Sequence, residues 1–205
     1  MPVPRTLLAS LVVVAVGGAV LTAATDRLRA FTTETARRVA VRQHPVPIPA
    51  VTLQTQSGAP VNFDALRGKW LLVDFIYTRC MTYCAALGGE FARLQHRLAA
   101  PVAQGRLQLL SISFDPAHDT PGRLAAYLQR SGSHGAGWLA ARPVGSTGLE
   151  QLTQAFGITV IPNAFGGYTH NAAVEIVDPQ GRLTRILDWG DPARVEQVIL
   201  QDMNR

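Results

Sequence analysis

The sequence predicts an α/β fold, a sheet with helices on both faces, behind an N-terminal membrane anchor helix. Residues 7–24 form an uncharged run that is long enough to cross a bilayer. After residue 49, apolar strand-like runs alternate with segments of helical periodicity. The chain is 47% hydrophobic and only 16% charged, which argues against a disordered protein because disordered chains are rich in charge.

Residues 1–26 are predicted to be a signal anchor. The run LLASLVVVAVGGAVLTAA at positions 7–24 has no charged side chain, and its length is typical of a transmembrane helix. The small residues at positions 22–24 also fit a signal-peptidase site, so a cleaved signal peptide is an alternative, and a buried helix is a third. Residues 27–49 are predicted to be a polar, proline-rich linker, in which prolines at 45, 47 and 49 favour extended chain.

Residues 50–205 are predicted to form the α/β domain. Strands are predicted at 51–56, 61–63, 70–77, 107–114, 172–178 and 183–188, and helices at 82–103, 121–130, 149–156 and 192–203. The strand WLLVDFIY at 70–77 is almost continuously apolar, as expected for a strand buried on both faces. Asp119-Thr120-Pro121 is typical of a helix start, where a capping side chain precedes a first-turn proline. This layout fits a thioredoxin-like fold, in which a central strand leads into a reactive loop.

The net charge of +5 does not indicate a nucleic-acid partner. Residues 1–42 carry six arginines against two acidic residues, whereas residues 43–205 carry thirteen cations against twelve acidic residues. The predicted domain is therefore nearly neutral and shows no basic face. The excess positive charge lies beside the apolar run, where lipid head groups are the expected partners.

The two cysteines, Cys80 and Cys84, lie four positions apart just after a predicted buried strand. If a helix begins near Cys80, both sulfurs fall on one face, one turn apart, and can form a disulfide or hold one metal ion. A helix N-terminus stabilises a thiolate, and Arg79 adds a cation beside the pair. A purely structural bridge would close so short a loop that it would stabilise the fold little. The pair is therefore predicted to be redox-active or metal-binding.

Three segments, in order, resemble the SCO/SenC family of copper-handling, thioredoxin-like proteins. The stretch FIYTRCMTYC at 75–84 resembles that family's Phe-x-Tyr-Thr-x-Cys-x-x-x-Cys pattern. The stretch SFDPAHDTP at 113–121 resembles its Asp-Pro-x-x-Asp-Thr-Pro pattern, and Tyr168-Thr169-His170 resembles its distal histidine segment. The resemblance covers about residues 48–203.

The resemblance implies a copper site formed by Cys80, Cys84 and His170. Two thiolates and one imidazole make a soft site that suits Cu(I), and an added ligand would allow Cu(II). The other histidines are expected to be solvated or on the surface: His44, His96, His118 and His134. Among these, His118 is a candidate to support a ligand, because it lies in the second motif.

Some positions near the predicted site depart from the family pattern or have two interpretations. Met81 and Ala85 follow the cysteines where family members usually carry proline, and this difference would alter the rigidity of the loop. Asp115 and Asp119 are expected to act in a turn and a helix cap. The alternative for both is a role near the copper loop or in docking a partner.

By resemblance, the protein would be a membrane-tethered copper chaperone that helps to assemble the copper centre of cytochrome c oxidase. Its partner would be the copper-bearing subunit, and its domain would face the periplasm from the inner membrane. The arginines after the apolar run conflict with this orientation, because the positive-inside rule places them in the cytoplasm. We nevertheless expect the periplasmic side, on the basis of the copper and thiol chemistry.

The competing hypothesis is a thiol–disulfide oxidoreductase that keeps cysteines of a copper-protein client reduced. In that case Cys80 would attack the client disulfide and Cys84 would resolve the mixed disulfide, with no need for His170. A peroxidase on the same fold is a weaker alternative, because the sequence lacks a Pro-x-x-x-Thr-x-x-Cys arrangement.

Overall fold

The structure, a computed structural model, describes residues 4–28, 30–80, 83–164 and 166–205, with the backbone alone at residue 5 and at residues 83–85. The chain divides into two compact units, Met1–Gln43 and His44–Arg205. The first unit contains helix α1 (Arg5–Ala24) and helix α2 (Thr33–Gln43). Within α1, the span Thr6–Ala24 is long and apolar enough to cross a membrane, as the anchor prediction requires.

Helix α2 occupies much of the predicted linker. Glu34 in its first turn pairs with Arg37 at 2.9 Å and with Arg38 at 3.1 Å, which are helical i,i+3 and i,i+4 spacings. Glu34 at the start and Arg42 in the last turn also complement the helix dipole. The linker is therefore polar as predicted, but a large part of it is helical.

The second unit contains strands and helices in alternation. Its strands are β1 (Val46–Pro47), β2 (Thr52–Thr55), β3 (Pro60–Asn62), β4 (Trp70–Ile76), β5 (Leu107–Ser113), β6 (Trp138–Pro143), β7 (Val160–Pro162), β8 (Tyr168–His170), β9 (Val174–Val177) and β10 (Arg182–Leu187). Its helices are α3 (Tyr83–Arg97), α4 (Ala99–Ala103), α5 (Pro121–Ser131), α6 (Ser146–Phe156) and α7 (Pro192–Met203), with a 3₁₀ turn at Phe63–Leu66.

Eight of the strands form one mixed sheet in the order β1-β10-β9-β4-β5-β6-β2-β3. The central strands β4, β5 and β6 are parallel, whereas β9 is antiparallel to β4 and β2 is antiparallel to β6. β7 and β8 form a separate two-stranded antiparallel sheet. This mixed sheet with flanking helices confirms the predicted thioredoxin-like α/β fold behind an N-terminal apolar helix.

The core lies on both faces of β4, because successive side chains of a strand point to opposite faces. On one face, Leu72 and Ile76 pack in a buried cluster with residues of α3, α5 and α7. On the other face, the ring of Phe75 contacts Phe156 of α6 at 5.1 Å between centroids. Burial on both faces explains why the sequence of this strand is almost continuously apolar.

Three parts of the element prediction are wrong, and the first is that the hairpin of β7 and β8 was not predicted. Strand β6 was not predicted, since its sequence WLAARP contains two alanines and an arginine and has a weak apolar pattern. Pairing on both sides nevertheless makes it a strand, and Trp138 Nε1–H donates a hydrogen bond to Ser111 Oγ at 3.0 Å. The helix predicted at 82–103 is interrupted at Leu98, three residues before Pro101, whose ring nitrogen has no hydrogen to donate.

The proline-rich segment is extended, as predicted. Val46 and Pro47 form β1 at the edge of the sheet, opposite Leu183 and Arg182 of β10. Pro47 has no N–H to donate in a hydrogen bond to a further strand, so an edge position suits it. The domain boundary predicted in this segment lies close to the division between the two compact units at Gln43 and His44.

Candidate metal centre

The loops that follow β4 and β5 meet at one edge of the sheet. These two strands are parallel neighbours, so their carboxyl ends lie side by side. Just past the strands, Phe114 N–H donates a hydrogen bond to Ile76 O at 3.0 Å. This pairing brings two of the three predicted motifs, 75–84 and 113–121, to the same place.

Cys80 lies in the turn between β4 and α3 and is half-buried. Its N–H donates a hydrogen bond to Tyr77 O at 3.2 Å, which closes the turn. Helix α3 covers Tyr83–Arg97, close to the predicted start at residue 82, and Cys80 lies in the turn before it. Cys84 is the second residue of α3, but its side chain lies outside the described part of the chain. The predicted pairing of the two sulfurs therefore stays a prediction.

The turn that carries Cys80 is held by a buried carboxylate, Asp119. Thr78 donates two hydrogen bonds to it, from its N–H at 3.1 Å and from its hydroxyl at 2.6 Å. Ser113 Oγ donates a third at 2.5 Å. The expectation that Asp119 caps α5 is wrong, because the capping side chain is that of Thr120. The alternative interpretation is the one that the structure supports, since Asp119 links the second motif to the first.

Asp115 forms a second link between the two motifs. Its buried carboxylate pairs with Arg79 at 2.8 Å and with His118 Nδ1 at 2.7 Å. The Asp115 hydrogen bond raises the pKa of the Arg79 guanidinium, so Arg79 stays a cation next to Cys80. The His118 side chain is exposed and pairs with the buried Asp115 carboxylate. His118 is not among the described residues that line the cavity beside Cys80.

His170 is the last residue of β8, on the hairpin formed with β7. Its ring packs edge-on against Phe114, with the ring centroids 4.9 Å apart. Burial lowers the pKa of His170 to about 4, so the imidazole is neutral at pH 7. Its Nδ1 atom is buried and has no hydrogen-bond partner among the described residues. A neutral imidazole with such an unpaired nitrogen is suited to bind a metal ion.

Cys80 and His170 line the same cavity, which has a volume of about 470 Å³. No aspartate or glutamate is among the described residues that line it, so these residues offer none of the carboxylates that Mg²⁺ and Ca²⁺ sites commonly use. A thiolate and an imidazole instead suit copper. The described side chains contain no cluster of three or more His, Cys, Asp or Glu residues. Cys84 is the predicted third ligand, and its side chain lies outside the described part of the chain.

The prediction from sequence did not include the aromatic residues around His170. Tyr77, Phe114 and Tyr168 pack on one another, with ring centroids 5.3 to 5.7 Å apart. Trp189, just after β10, also lines the cavity. The sequence signal for Tyr77, Phe114 and Tyr168 is that each of them lies within one of the three motifs.

Comparison with known proteins finds one family. The profile of the family described as SCO1/SenC matches residues 42–203. A protein of Stutzerimonas stutzeri named "Putative copper-binding protein" is 31% identical over 191 residues, which cover 89% of this chain and 88% of that protein.

Two solved structures show the same fold. BsSco, described as a member of the Sco family of cytochrome c oxidase assembly proteins with a disulfide switch, aligns with a TM-score of 0.67 at 20% identity. That alignment covers 78% of this chain and 95% of BsSco. ScoI of Bradyrhizobium japonicum, solved with copper bound, aligns with a TM-score of 0.60 at 20% identity, over 75% of this chain and 98% of ScoI.

Proposed function

Because the chain belongs to the SCO1/SenC family, we propose that it is a membrane-tethered copper chaperone in which Cys80, Cys84 and His170 hold copper. The observation that carries this proposal is that Cys80 and His170, which are far apart in sequence, line one cavity. The cargo would pass to a copper-bearing subunit of cytochrome c oxidase. The copper-bound ScoI and the oxidase-assembly family of BsSco support this choice of cargo and client.

The described side chains favour holding copper in a form that can be released. Metal ligands must be deprotonated, and the low pKa of His170 means that copper displaces no proton from this ring at pH 7. Cys80 lies outside the helix at the cavity wall, where a ligand from the client can replace it. Both thiols must be reduced before copper binds, so the redox state of the pair would control loading.

A second candidate function is thiol–disulfide exchange. The half-buried position of Cys80 in a turn favours it, and the disulfide switch named for BsSco is consistent with it. The Cys80 thiolate would attack a client disulfide, and one client sulfur would leave as a thiolate. The Cys84 thiolate would then attack the Cys80 sulfur, releasing the client as a dithiol and leaving a Cys80–Cys84 disulfide. An external thiol reductant would restore the pair.

The proposed location is the inner membrane, with the domain in the periplasm. The apolar span Thr6–Ala24 supports membrane attachment. In an oxidising compartment a client's cysteines readily form disulfides. A protein that reduces those disulfides, or that delivers copper to the resulting thiols, therefore has a function there.

An anaerobic Cu(I) titration of the full-length chain in detergent tests the proposal. We expect one tightly bound equivalent in the wild type, and a loss of affinity of at least about tenfold in both His170→Ala and Cys84→Ser, because each removes one of three ligands. His134→Ala is the matched control, since it removes an exposed histidine from another loop, and it should bind as the wild type does. No stoichiometric binding in the wild type, together with rapid reduction of a disulfide peptide, would instead support the oxidoreductase.

A further inference from the structure

The hydroxyl of Tyr77 joins the end of β4 to the hairpin that carries His170. Tyr77 Oη donates a hydrogen bond to Tyr168 O at 3.3 Å. The same atom accepts a hydrogen bond from Tyr168 N–H at 3.2 Å. One side-chain atom thus pairs with both backbone polar groups of the first residue of β8.

The aromatic rings add a second contact between the same segments. The rings of Tyr77 and Tyr168 meet at right angles with centroids 5.3 Å apart. Phe114, at the end of β5, contacts Tyr168 at 5.7 Å and His170 at 4.9 Å. Such edge-to-face pairs are favourable beyond the area they bury. The ends of two central strands therefore hold the hairpin through side chains.

Gly167 allows the close approach that the Tyr77 hydroxyl needs. A Cβ atom added at Gly167 would lie 2.8 Å from Tyr77 Oη, which is closer than real Cβ atoms come to other atoms. The hairpin turn is also held internally, because Asn163 Oδ1 accepts a hydrogen bond from Gly167 N–H at 3.0 Å. The turn thus presents bare backbone to the tyrosine.

We propose that Tyr77 is a positioning residue whose hydroxyl holds β8 in place, so that His170 stays at the wall of the cavity that Cys80 also lines. This proposal rests on the proposed copper function. β7 and β8 form a separate two-stranded sheet, and a two-stranded hairpin alone is marginally stable in water. The position of this hairpin therefore depends on contacts with the rest of the domain, such as the hydrogen bonds of the Tyr77 hydroxyl. Tyr77 also precedes Cys80 by three residues and accepts its N–H, so one short segment positions both ligands.

A hairpin held in the binding position increases affinity because less free energy is spent on ordering it. If copper needs the closed hairpin, the apparent dissociation constant rises as the closed fraction falls. Removal of the Tyr77 hydroxyl eliminates two hydrogen bonds and should shift the closed-to-open ratio by about tenfold. Copper affinity should then fall by about twofold if the wild-type hairpin is closed ten times as often as it is open, and by up to about tenfold as that ratio decreases.

The test compares Tyr77→Phe with Tyr127→Phe in the full-length chain in detergent. Tyr127 lies in α5, packs against Trp138 and is also buried. Tyr127→Phe is therefore a matched control that removes one buried tyrosine hydroxyl elsewhere in the domain. Three quantities are measured: the Cu(I) affinity, the melting temperature, and the NMR signals of the His170 ring with ¹³C-labelled histidine, assigned with His170→Ala. The Phe114 ring shifts those signals in the closed hairpin, so they report its position in the copper-free protein.

We expect Tyr77→Phe to move the His170 ring signals and to weaken Cu(I) binding, while Tyr127→Phe changes neither. Gly167→Ala should have the same two effects through the contact with the Tyr77 hydroxyl. In the double variant, Gly167→Ala should add little, because the atom that it would contact is gone.

Unchanged His170 ring signals in Tyr77→Phe would overturn the proposal. Moved signals with unchanged copper affinity would overturn it as well, because the hairpin position would then not control binding. If the wild type binds no copper, the proposed function fails; the ring signals of the copper-free variants still decide whether Tyr77 holds the hairpin.

Discussion

Asp74 is a carboxyl group in the centre of the sheet. It lies on β4, on the same face as Leu72 and Ile76, and is fully buried among apolar side chains. Neither of its oxygens has a hydrogen-bond partner of normal geometry among the described residues. Burial raises the pKa of Asp74 to about 7, and the nearby Ser111 hydroxyl opposes this shift only in part. The folded domain therefore favours the neutral acid.

This burial predicts that the domain loses stability as the pH rises toward 7. The pKa of Asp74 is about 7 in the folded state against 3.8 for an unperturbed carboxyl, so between these values the unfolded chain releases the proton first. The stabilisation is complete below pH 3.8 and is lost as the pH rises through 7. Asp74→Asn keeps the size of the side chain and removes the titration. Relative to the wild type, the variant should gain about 2–3 kcal/mol in free energy of unfolding between pH 5 and pH 8.

Urea unfolding at the two pH values measures this difference. Asp64→Asn is the matched control, because it replaces an exposed carboxyl at the 3₁₀ turn that pairs with Arg67. The control should keep the pH dependence of the wild type. An equal difference between Asp74→Asn and the wild type at pH 5 and pH 8 would mean that Asp74 does not titrate in this range.

At the level of single residues, the candidate ligands could be predicted but their supports could not. Cys80 and His170 are identified by residue type and by the motifs around them. The role of Tyr77 depends on a contact with Tyr168, 91 positions away, which no local pattern reveals. Asp119 illustrates the same limit, since its local sequence fits a helix cap whereas its carboxylate binds Thr78, 41 positions earlier.

At the level of elements, helices α3 and α5 cross closely at Gly88. A Cβ atom added at Gly88 would lie 3.0 Å from Ser131 Cβ and 3.2 Å from the Tyr127 hydroxyl, both on α5. Gly89, the next residue, has nothing within 4 Å of such an atom. The first turn of α3 carries Cys84, so this crossing sets the position of the helix that supplies the second thiol.

Leucine at these two neighbouring positions should have opposite effects. Gly88→Leu forces a large side chain into the crossing and should lower the free energy of unfolding by about 1–3 kcal/mol. Gly89→Leu places its Cβ where no atom lies within 4 Å and should raise it by roughly 0.5–1 kcal/mol, because leucine favours a helix more than glycine does. Thermal or urea unfolding of both variants gives the comparison. Equal destabilisation by the two would show that helix packing at Gly88 is not close.

The elements that sequence analysis predicts correctly are those whose patterns are local. Strand β4 and helices α5 and α7 have a continuous apolar run or proline-marked starts, and the structure confirms them. Strand β6 and the hairpin of β7 and β8 are held by neighbours distant in sequence, so their short segments carry little signal. The interruption at Leu98 follows from Pro101, which the apolar periodicity of 82–103 obscured.

At the level of the whole chain, two sequence features make opposite predictions for the orientation of the domain. The arginines at 27, 29, 37 and 38 follow the apolar span, and by the positive-inside rule they would keep the domain in the cytoplasm. The ion pairs of Glu34 with Arg37 and Arg38 do not remove these arginines from the count, because acidic residues contribute little to the rule. The proposed function instead requires the domain to lie in the periplasm.

Alkaline phosphatase fused to the C-terminus distinguishes the two orientations, because the enzyme needs disulfides that form only outside the cytoplasm. We expect the fusion to be active in a bacterial host, and a green fluorescent protein fusion at the same position, which fluoresces only in the cytoplasm, to be dark. Replacing Arg37 and Arg38 together by glutamine removes two of the charges that favour the cytoplasmic side, so it should raise the phosphatase activity if these charges influence insertion. Thr55→Ser, a small change inside the domain, is the control. An inactive phosphatase fusion with a fluorescent counterpart would place the domain in the cytoplasm and contradict the proposed delivery of copper in the periplasm.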